Sequence, residues 1–164
     1  MLEIINNRRS IRKFKDQPIS KKDIKDLLEA AMNAPSAMNQ QAWVFVVLEN
    51  NTFKNYLDFN TNTPKGAPVG ILICGDLSKQ KIEGDYYIQD CSAATQNILL
   101  AAHAKGIGSV WTTVFPQNVK KIQELLRLPK NIIPFACLPV GYATKELTNA
   151  KSRYNEDVVH WNTW

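Results

Sequence analysis

Two uninterrupted apolar runs constrain the fold most: Trp43-Val44-Phe45-Val46-Val47-Leu48 and Val69-Gly70-Ile71-Leu72-Ile73-Cys74. A strand with one wet face alternates polar and apolar residues, so a strand without alternation reads as buried on both faces. The rest of the chain reads as helices and strands in alternation. Leu2, Ile4 and Ile5 suit a short opening helix. Ser20 with Asp23 resembles a capping box, with Asp in the place usually held by Glu or Gln. Ile24, Leu27, Leu28 and Ala31 then share a helical stripe that Pro35 ends. Thr52 to Asp58 fits a short helix, and Thr61 to Gly66 a loop. A long helix is expected from about Tyr86 to Lys105, closed by Gly106 and rich in small residues (Ala93, Ala94, Ala101, Ala102, Ala104). Burial from more than one side, as in a dimer, and a central position in one monomer explain that helix equally well. Ile107 to Trp111 is strand-like, and Pro116 opens a helix whose Val119, Ile122, Leu125 and Leu126 share a face. Ile132 to Val140 forms the last long strand, in which Pro134 and Pro139 suggest edges or bulges. The tail from Ala150 to Trp164 carries Trp161 and Trp164, and is expected to dock on its own subunit or a partner's.

The 164 residues, 45% of them hydrophobic, suit one globular domain spanning 1–164. No apolar run reaches the roughly 20 residues of a membrane helix. Met1 to Asn7 has neither the basic head nor the apolar stretch of a signal peptide, so a cytoplasmic location is expected, with no membrane partner. Cys74, Cys91 and Cys137 are far apart, and His103 and His160 stand alone. No metal site is expected, and the cysteines read as small apolar residues in a reducing compartment. The net charge of +5 is scattered over short clusters and forms no long basic arm, so nucleic acid is not the expected partner.

Two segments carry chemistry. Arg8-Arg9-Ser10-Ile11-Arg12-Lys13-Phe14 concentrates cations and a hydroxyl. If Arg8 and Arg12 lie in one helical turn, they repel by a few tenths of a kcal/mol, and an anion between them reverses that cost. Lys151 and Arg153 could close such a pocket from the far end of the chain. A phosphate cradle and a solvated basic surface stand equal on these residues alone. The second segment, Ala34-Pro35-Ser36-Ala37-Met38-Asn39-Gln40-Gln41-Ala42-Trp43, is an amide-rich turn leading into a strand. Its amides either read a heterocycle edge or cap the loop; Gln96 and Asn97, inside the apolar helix, call for structural partners. Gly106-Ile107-Gly108-Ser109 lacks the third glycine of a dinucleotide loop and follows a helix instead of a strand. There is no Walker A sequence, GxSxG elbow or Cys–His pair.

Taken in order, these segments resemble the FMN-dependent nitroreductase family along nearly the whole chain. The resemblance rests on Arg8 to Phe14; on Ala34-Pro35-Ser36 with Asn39, Gln41 and Trp43; on Gly106-Ile107-Gly108-Ser109 with Trp111; on Leu138-Pro139-Val140-Gly141-Tyr142; and on Lys151-Ser152-Arg153. It implies an α+β three-layer sandwich, with a mixed, mainly antiparallel sheet flanked by helices, in an intertwined homodimer with FMN at the interface. By motif, Arg8, Ser10, Lys151 and Arg153 would hold the phosphate and ribityl chain, and Arg9 would act mainly through its backbone. Arg12 would reach the pyrimidine side of the ring. Pro35, Ser36 and Asn39 would line the flavin, Pro35 and Ser36 from the other subunit. Trp111, Thr112, Thr113 and Val114 would place backbone groups near N5, and Lys65 loosely matches a second basic residue near O2. The implied activity is a two-half-reaction transfer from NAD(P)H through flavin N5 to an acceptor such as a nitroaromatic or quinone, with no acid–base side chain.

The sequence departs from the family pattern at three places. Ala42 replaces the usual Pro, Thr113 an acidic residue of some relatives, and the stretch between Leu57 and Val69 is short. The last implies a reduced lid and a more open pocket. A flavin carrier or sensor without NAD(P)H turnover is the rival reading, and a basic nucleic-acid module the third.

Overall fold

The computed structural model describes residues 1–145 and 152–164. The chain runs α1 (Leu2–Asn7), α2 (Lys21–Met32), β1 (Trp43–Glu49), α3 (Asn50–Phe59), β2 (Val69–Asp76), α4 (Tyr86–Ala104), β3 (Gly108–Ser109), β4 (Thr112–Thr113), α5 (Val119–Leu126) and β5 (Ile132–Gly141). The sheet order is β1-β2-β5-β3, with β4 also on β5, and every pair of named strands is antiparallel. Among the described residues, only the isolated Ser10–Ser109 bridge is parallel.

Strand periodicity sorts the core into two halves. Val69, Ile71, Ile73, Ala136, Leu138 and Val140 face α2 and α4, with Ile24, Leu27, Ala94 and Ile98 between. Leu72, Cys74, Cys137 and Ile132 face the other way, onto Phe53, Tyr56 and Leu57 of α3 and Ile122 of α5. Helices therefore cover the sheet on both sides. The three cysteines are buried, and burial pushes the thiols of Cys74 and Cys137 up to about 12.

The local signals resolve as follows. Ser20 caps α2 by accepting the Asp23 N–H at 3.0 Å, but its hydroxyl also donates to the Asp23 carboxylate at 2.6 Å, because Asp is too short to reach back to the Ser20 amide. Gly106, at φ 71°, ends α4, where its N–H reaches the His103 carbonyl at 3.0 Å and the Ile107 N–H reaches Ala102 at 2.8 Å. β2 is buried throughout, as its apolar run predicts.

The expectations for three strands need correction. β1 is not buried on both faces: it is the sheet edge, where Val44 to Val46 are half-buried and Val47 is exposed. β5, despite its prolines, is not an edge but the strand between β2 and the β3–β4 pair. Pro134 lies at the register shift opposite Cys74, a bulge. Pro139 falls where its partner edge is broken, since β3 stops at Ser109 opposite Val140 and β4 starts at Thr112 opposite Cys137. With no N–H to donate, Pro139 accounts for that break, which also divides the single strand expected over Ile107 to Trp111. Apart from Ser152 and Arg153, which share a cleft with α1, the described tail does not dock on its own chain: Trp161 is 78% exposed and Trp164 101%.

Candidate functional site

Arg8 ends α1 with extended backbone (φ −55°, ψ 130°), and the chain continues as an arm beside β3. The Ile11 N–H donates to the Ser109 carbonyl at 2.9 Å, the Lys15 N–H to Tyr142 at 2.8 Å, and Phe14 bridges Ala143. A glycine at 108 permits this approach, since a Cβ there would lie 2.8 Å from the Ile11 side chain. The arm is therefore extended, and Arg8 and Arg12 do not share a helical turn; pairing with Ser109 overrides any local helical tendency. Four extended residues span about 13 Å, so the two guanidiniums serve separate points of an elongated ligand better than one anion.

Arg8, Arg9, Ser152 and Arg153 line a cleft of about 180 Å³ with Ile5 and Asn6. Burial, then the neighbouring charges of Arg153 and Arg9, lower the Arg8 pKa. The same field and burial lower the pKa of His103, burial first, then Arg8 and Arg9. Among the described residues, the ion pairs are Lys22–Asp26 and Lys105 with Asp23 and Asp26, so no carboxylate neutralises the arginine cleft. Arg9 is bound to the chain itself, donating to the carbonyls of Asn6 at 3.0 Å and Arg8 at 2.6 Å. Arg8 and Arg153 remain as forked donors facing a cavity, which fits a phosphate dianion. Lys151 lies outside the described residues. Ser10 and Arg12 line an adjoining stretch of the arm, a cleft of about 240 Å³ shared with Lys13, Ala143, Thr144 and Lys145.

The Trp111–Thr113 segment is anchored from behind. Trp111 packs edge-on against Phe135, centroids 5.8 Å apart. The Thr112 hydroxyl turns into the core, donating to the Cys137 carbonyl at 2.6 Å and meeting the Thr63 hydroxyl at 2.9 Å. Its side chain is thus structural. The Val114 N–H donates to Phe135, so Thr113 opposite Ala136 turns its own peptide groups away from β5. The Thr113 carbonyl accepts from Asn60 Nδ2 at 3.1 Å and Asn62 Nδ2 at 3.0 Å. Sequence reading missed Asn60, Asn62 and Thr63; the run Asn60-Thr61-Asn62-Thr63 reads there only as a loop.

Pro35 and Asn39 are exposed and Ser36 is half-buried in the turn after α2. The turn is conformationally demanding: Met38, Asn39 and Gln41 all have φ 49°. Gln40 settles the open choice for its amide in favour of loop capping: it is buried, donates to Asp90 Oδ2 at 2.8 Å and accepts the Lys81 N–H at 3.0 Å. Asn97 likewise donates to the Ala30 carbonyl at 3.0 Å. Asp90, also missed, leaves one signal, an acid inside an otherwise apolar helix. Within one chain, Pro35, Ser36 and Asn39 line neither arm cleft. Lys65 lies apart from Arg12, in a third cleft of about 650 Å³ with Lys15, Lys54, Phe53 and Pro68.

This geometry can be set beside known proteins. A solved structure from Clostridium acetobutylicum, provisionally named an NADH oxidase, superposes with a TM-score of 0.92 at 38% identity, covering 98% of this chain and 99% of that one. An FMN-dependent nitroreductase structure from Clostridium difficile R20291 gives 0.89 at 30% identity, with all of both chains covered. A protein of Archaeoglobus fulgidus, provisionally named an NADH dehydrogenase/NAD(P)H nitroreductase, is 42% identical over 171 residues, 99% of this chain and 98% of its own length. The family model described as "Nitroreductase family" matches residues 5–58 and 50–142, the arm, the turn and the whole sheet, and the chain with its arginine cleft belongs to the nitroreductase family.

Proposed function

We propose that this chain is an NAD(P)H-dependent FMN oxidoreductase acting as a homodimer. The observation that carries the reading is the convergence of Arg8 and Arg153 on one cavity that no carboxylate neutralises among the described residues. Such a donor set fits the phosphate monoester of FMN, and the names of an FMN-dependent structural relative and an NAD(P)H-linked sequence relative agree with it. Bound FMN supplies a ring that takes a hydride from a nicotinamide and passes reducing equivalents on.

The residues divide the work along the arm. Arg8, Arg153 and Lys151 neutralise the phosphate, Ser10 donates toward the ribityl chain, and Arg9 fixes the arm by holding α1's last carbonyls. Arg12 sets a cation beside the pyrimidine edge, where negative charge accumulates on reduction, and so favours the reduced form. The anchored backbone of Trp111, Thr112 and Thr113 faces the reactive position. Pro35 and Ser36 come from the partner copy and line the ring with Asn39; within one chain none of the three lines an arm cleft. Lys65, in its separate cleft, is not needed for this reading. The acceptor class that would follow from this chemistry is a nitroaromatic or quinone, in a ping-pong sequence with the nicotinamide.

The first test is the visible spectrum of the purified protein, followed by anaerobic addition of NADH, then NADPH. A flavin spectrum that bleaches supports the reading and names the donor. A flavin that stays oxidised favours the carrier without turnover, and a colourless protein that takes up no added FMN overturns the cofactor assignment.

A further inference from the structure

Beneath the Pro35–Gln41 turn lies a buried carboxylate that the chemistry above does not use. Asp90 is 1% exposed, yet among the described residues no cation pairs with it. Both its oxygens are committed to the turn, Oδ1 accepting the Ala37 N–H at 2.8 Å and Oδ2 accepting Gln40 Nε2 at 2.8 Å. Gln40 passes the restraint on by accepting the Lys81 N–H at 3.0 Å, from the connection between β2 and α4. Above this anchor, Met38, Asn39 and Gln41 are held in the left-handed region, which side-chain-bearing residues rarely adopt. The turn contains no glycine, and within it the Ser36 hydroxyl accepts the Gln41 N–H at 3.0 Å, so Asp90 and Gln40 supply the hold from outside the turn's exposed side. A left-handed stretch persists only where surrounding contacts impose it. Pro35, Met38, Asn39 and Gln41 of the turn are exposed to solvent.

We propose that Asp90, with Gln40 as its relay, is the positioning residue of the cofactor platform: it fixes the turn so that Ser36 and Asn39 meet the isoalloxazine in one orientation. The proposal rests on the FMN reading above. A neutral side chain of the same size cannot replace Asp90, because one of its two acceptors becomes a donor facing the Gln40 amide. The defect is reversible by swapping polarity. With Asp90→Asn and Gln40→Glu together, the amide at 90 still accepts from Ala37 and now donates to the carboxylate at 40, whose second oxygen takes the Lys81 N–H.

The test uses the full chain and FMN titrated into apoprotein, read by flavin fluorescence, with amide hydrogen exchange of Ala37 measured alongside. Asp90→Asn and Gln40→Glu singly should each weaken FMN binding by on the order of tenfold, the loss of one charge-assisted hydrogen bond, and speed exchange at Ala37. The double variant should restore both. A purely structural role predicts lower thermal stability in the singles, with FMN affinity unchanged below the melting range. Unchanged affinity in folded singles, or a folded double variant no better than either, overturns the proposal. If the singles do not fold, the double variant and Gln40→Leu decide it: a native double with parental affinity supports it, and a Gln40→Leu protein with parental affinity and Ala37 exchange overturns it. Failure of the parent protein to bind FMN at all would instead refute the function proposed above, while the exchange measurement would still report on the anchor.

Discussion

The cluster of Arg8, Arg9 and Arg153 is a set of like charges that the folded chain keeps close, so removing one member acts differently on the free and loaded protein. Arg8→Ala and Arg153→Ala should each weaken FMN binding about tenfold or more, the worth of a charge-assisted phosphate contact. The apoprotein should not lose stability, because the substitution relieves repulsion. Fluorescence titration and thermal melts, with and without FMN, check both halves; an unstable apoprotein with intact affinity would contradict the assignment. His103 offers an internal reporter of the same field. Its folded pKa is depressed by burial and by Arg8 and Arg9, so the folded state binds this proton less readily than the unfolded chain. Its contribution to stability is therefore present above the ordinary histidine value near 6.5 and shrinks as pH falls through it. Arg8→Ala, or saturation with FMN, should raise the His103 pKa, measured by following its ring protons by NMR. A value that moves in neither case would mean that no anion settles in the arginine cleft. Arg12 acts further along the arm, and Arg12→Ala should lower the flavin's reduction potential or weaken FMN binding; an unchanged potential and affinity would remove it from the site.

At the scale of elements, the sheet shows how tightly the two layers are fitted. A Cβ at Gly75 would lie 2.1 Å from the Tyr87 ring, and one at Gly70 2.4 Å from Phe53. Gly75→Ala should destabilise by about 1–3 kcal/mol, the usual cost of overpacking, read as a lower midpoint in urea. Asn60 tests the anchoring of β4 in the same assay. Asn60→Asp keeps the shape but removes the donors to the Thr113 carbonyl and the Thr63 hydroxyl, and should cost about 1–3 kcal/mol. These elements also show what the sequence disclosed. The α2 stripe, its Ser20 cap, the Gly106 stop and the apolar strands were legible because each is fixed by residues within a turn or two. The order of strands was not, since it depends on pairing across the chain. Two prolines suggested edges or bulges in β5: Pro134 lies at a bulge, and the break between β3 and β4 shows how Pro139 can sit at the centre. β1 has the composition of an interior strand but lies at the margin. Asn60 and Asp90 were invisible for the same reason: the groups they hold lie about fifty residues away.

At the scale of the molecule, the proposed dimer would cover apolar side chains that a single copy leaves exposed. Trp161, Trp164, Val158 and Tyr154 project from the tail, and Val47 from the sheet edge. Patches of this kind mark surfaces that meet another chain. Sedimentation should give a mass twice 18.6 kDa, and removing residues 154–164 should yield monomers that do not retain FMN. A monomeric parent protein that holds FMN would overturn the dimeric reading. The N-terminal arm carries a last consequence. α1 buries none of its residues, and the arm is clipped to the sheet through a handful of backbone bridges. With FMN bound as proposed, Arg8 at one end of the chain and Arg153 at the other close on the same phosphate, and the cofactor becomes a staple between the two termini. Its residence time and the opening rate of the arm are then one kinetic quantity. A preparation that bleaches on dialysis should lose its first residues to protease at the same pace as its colour.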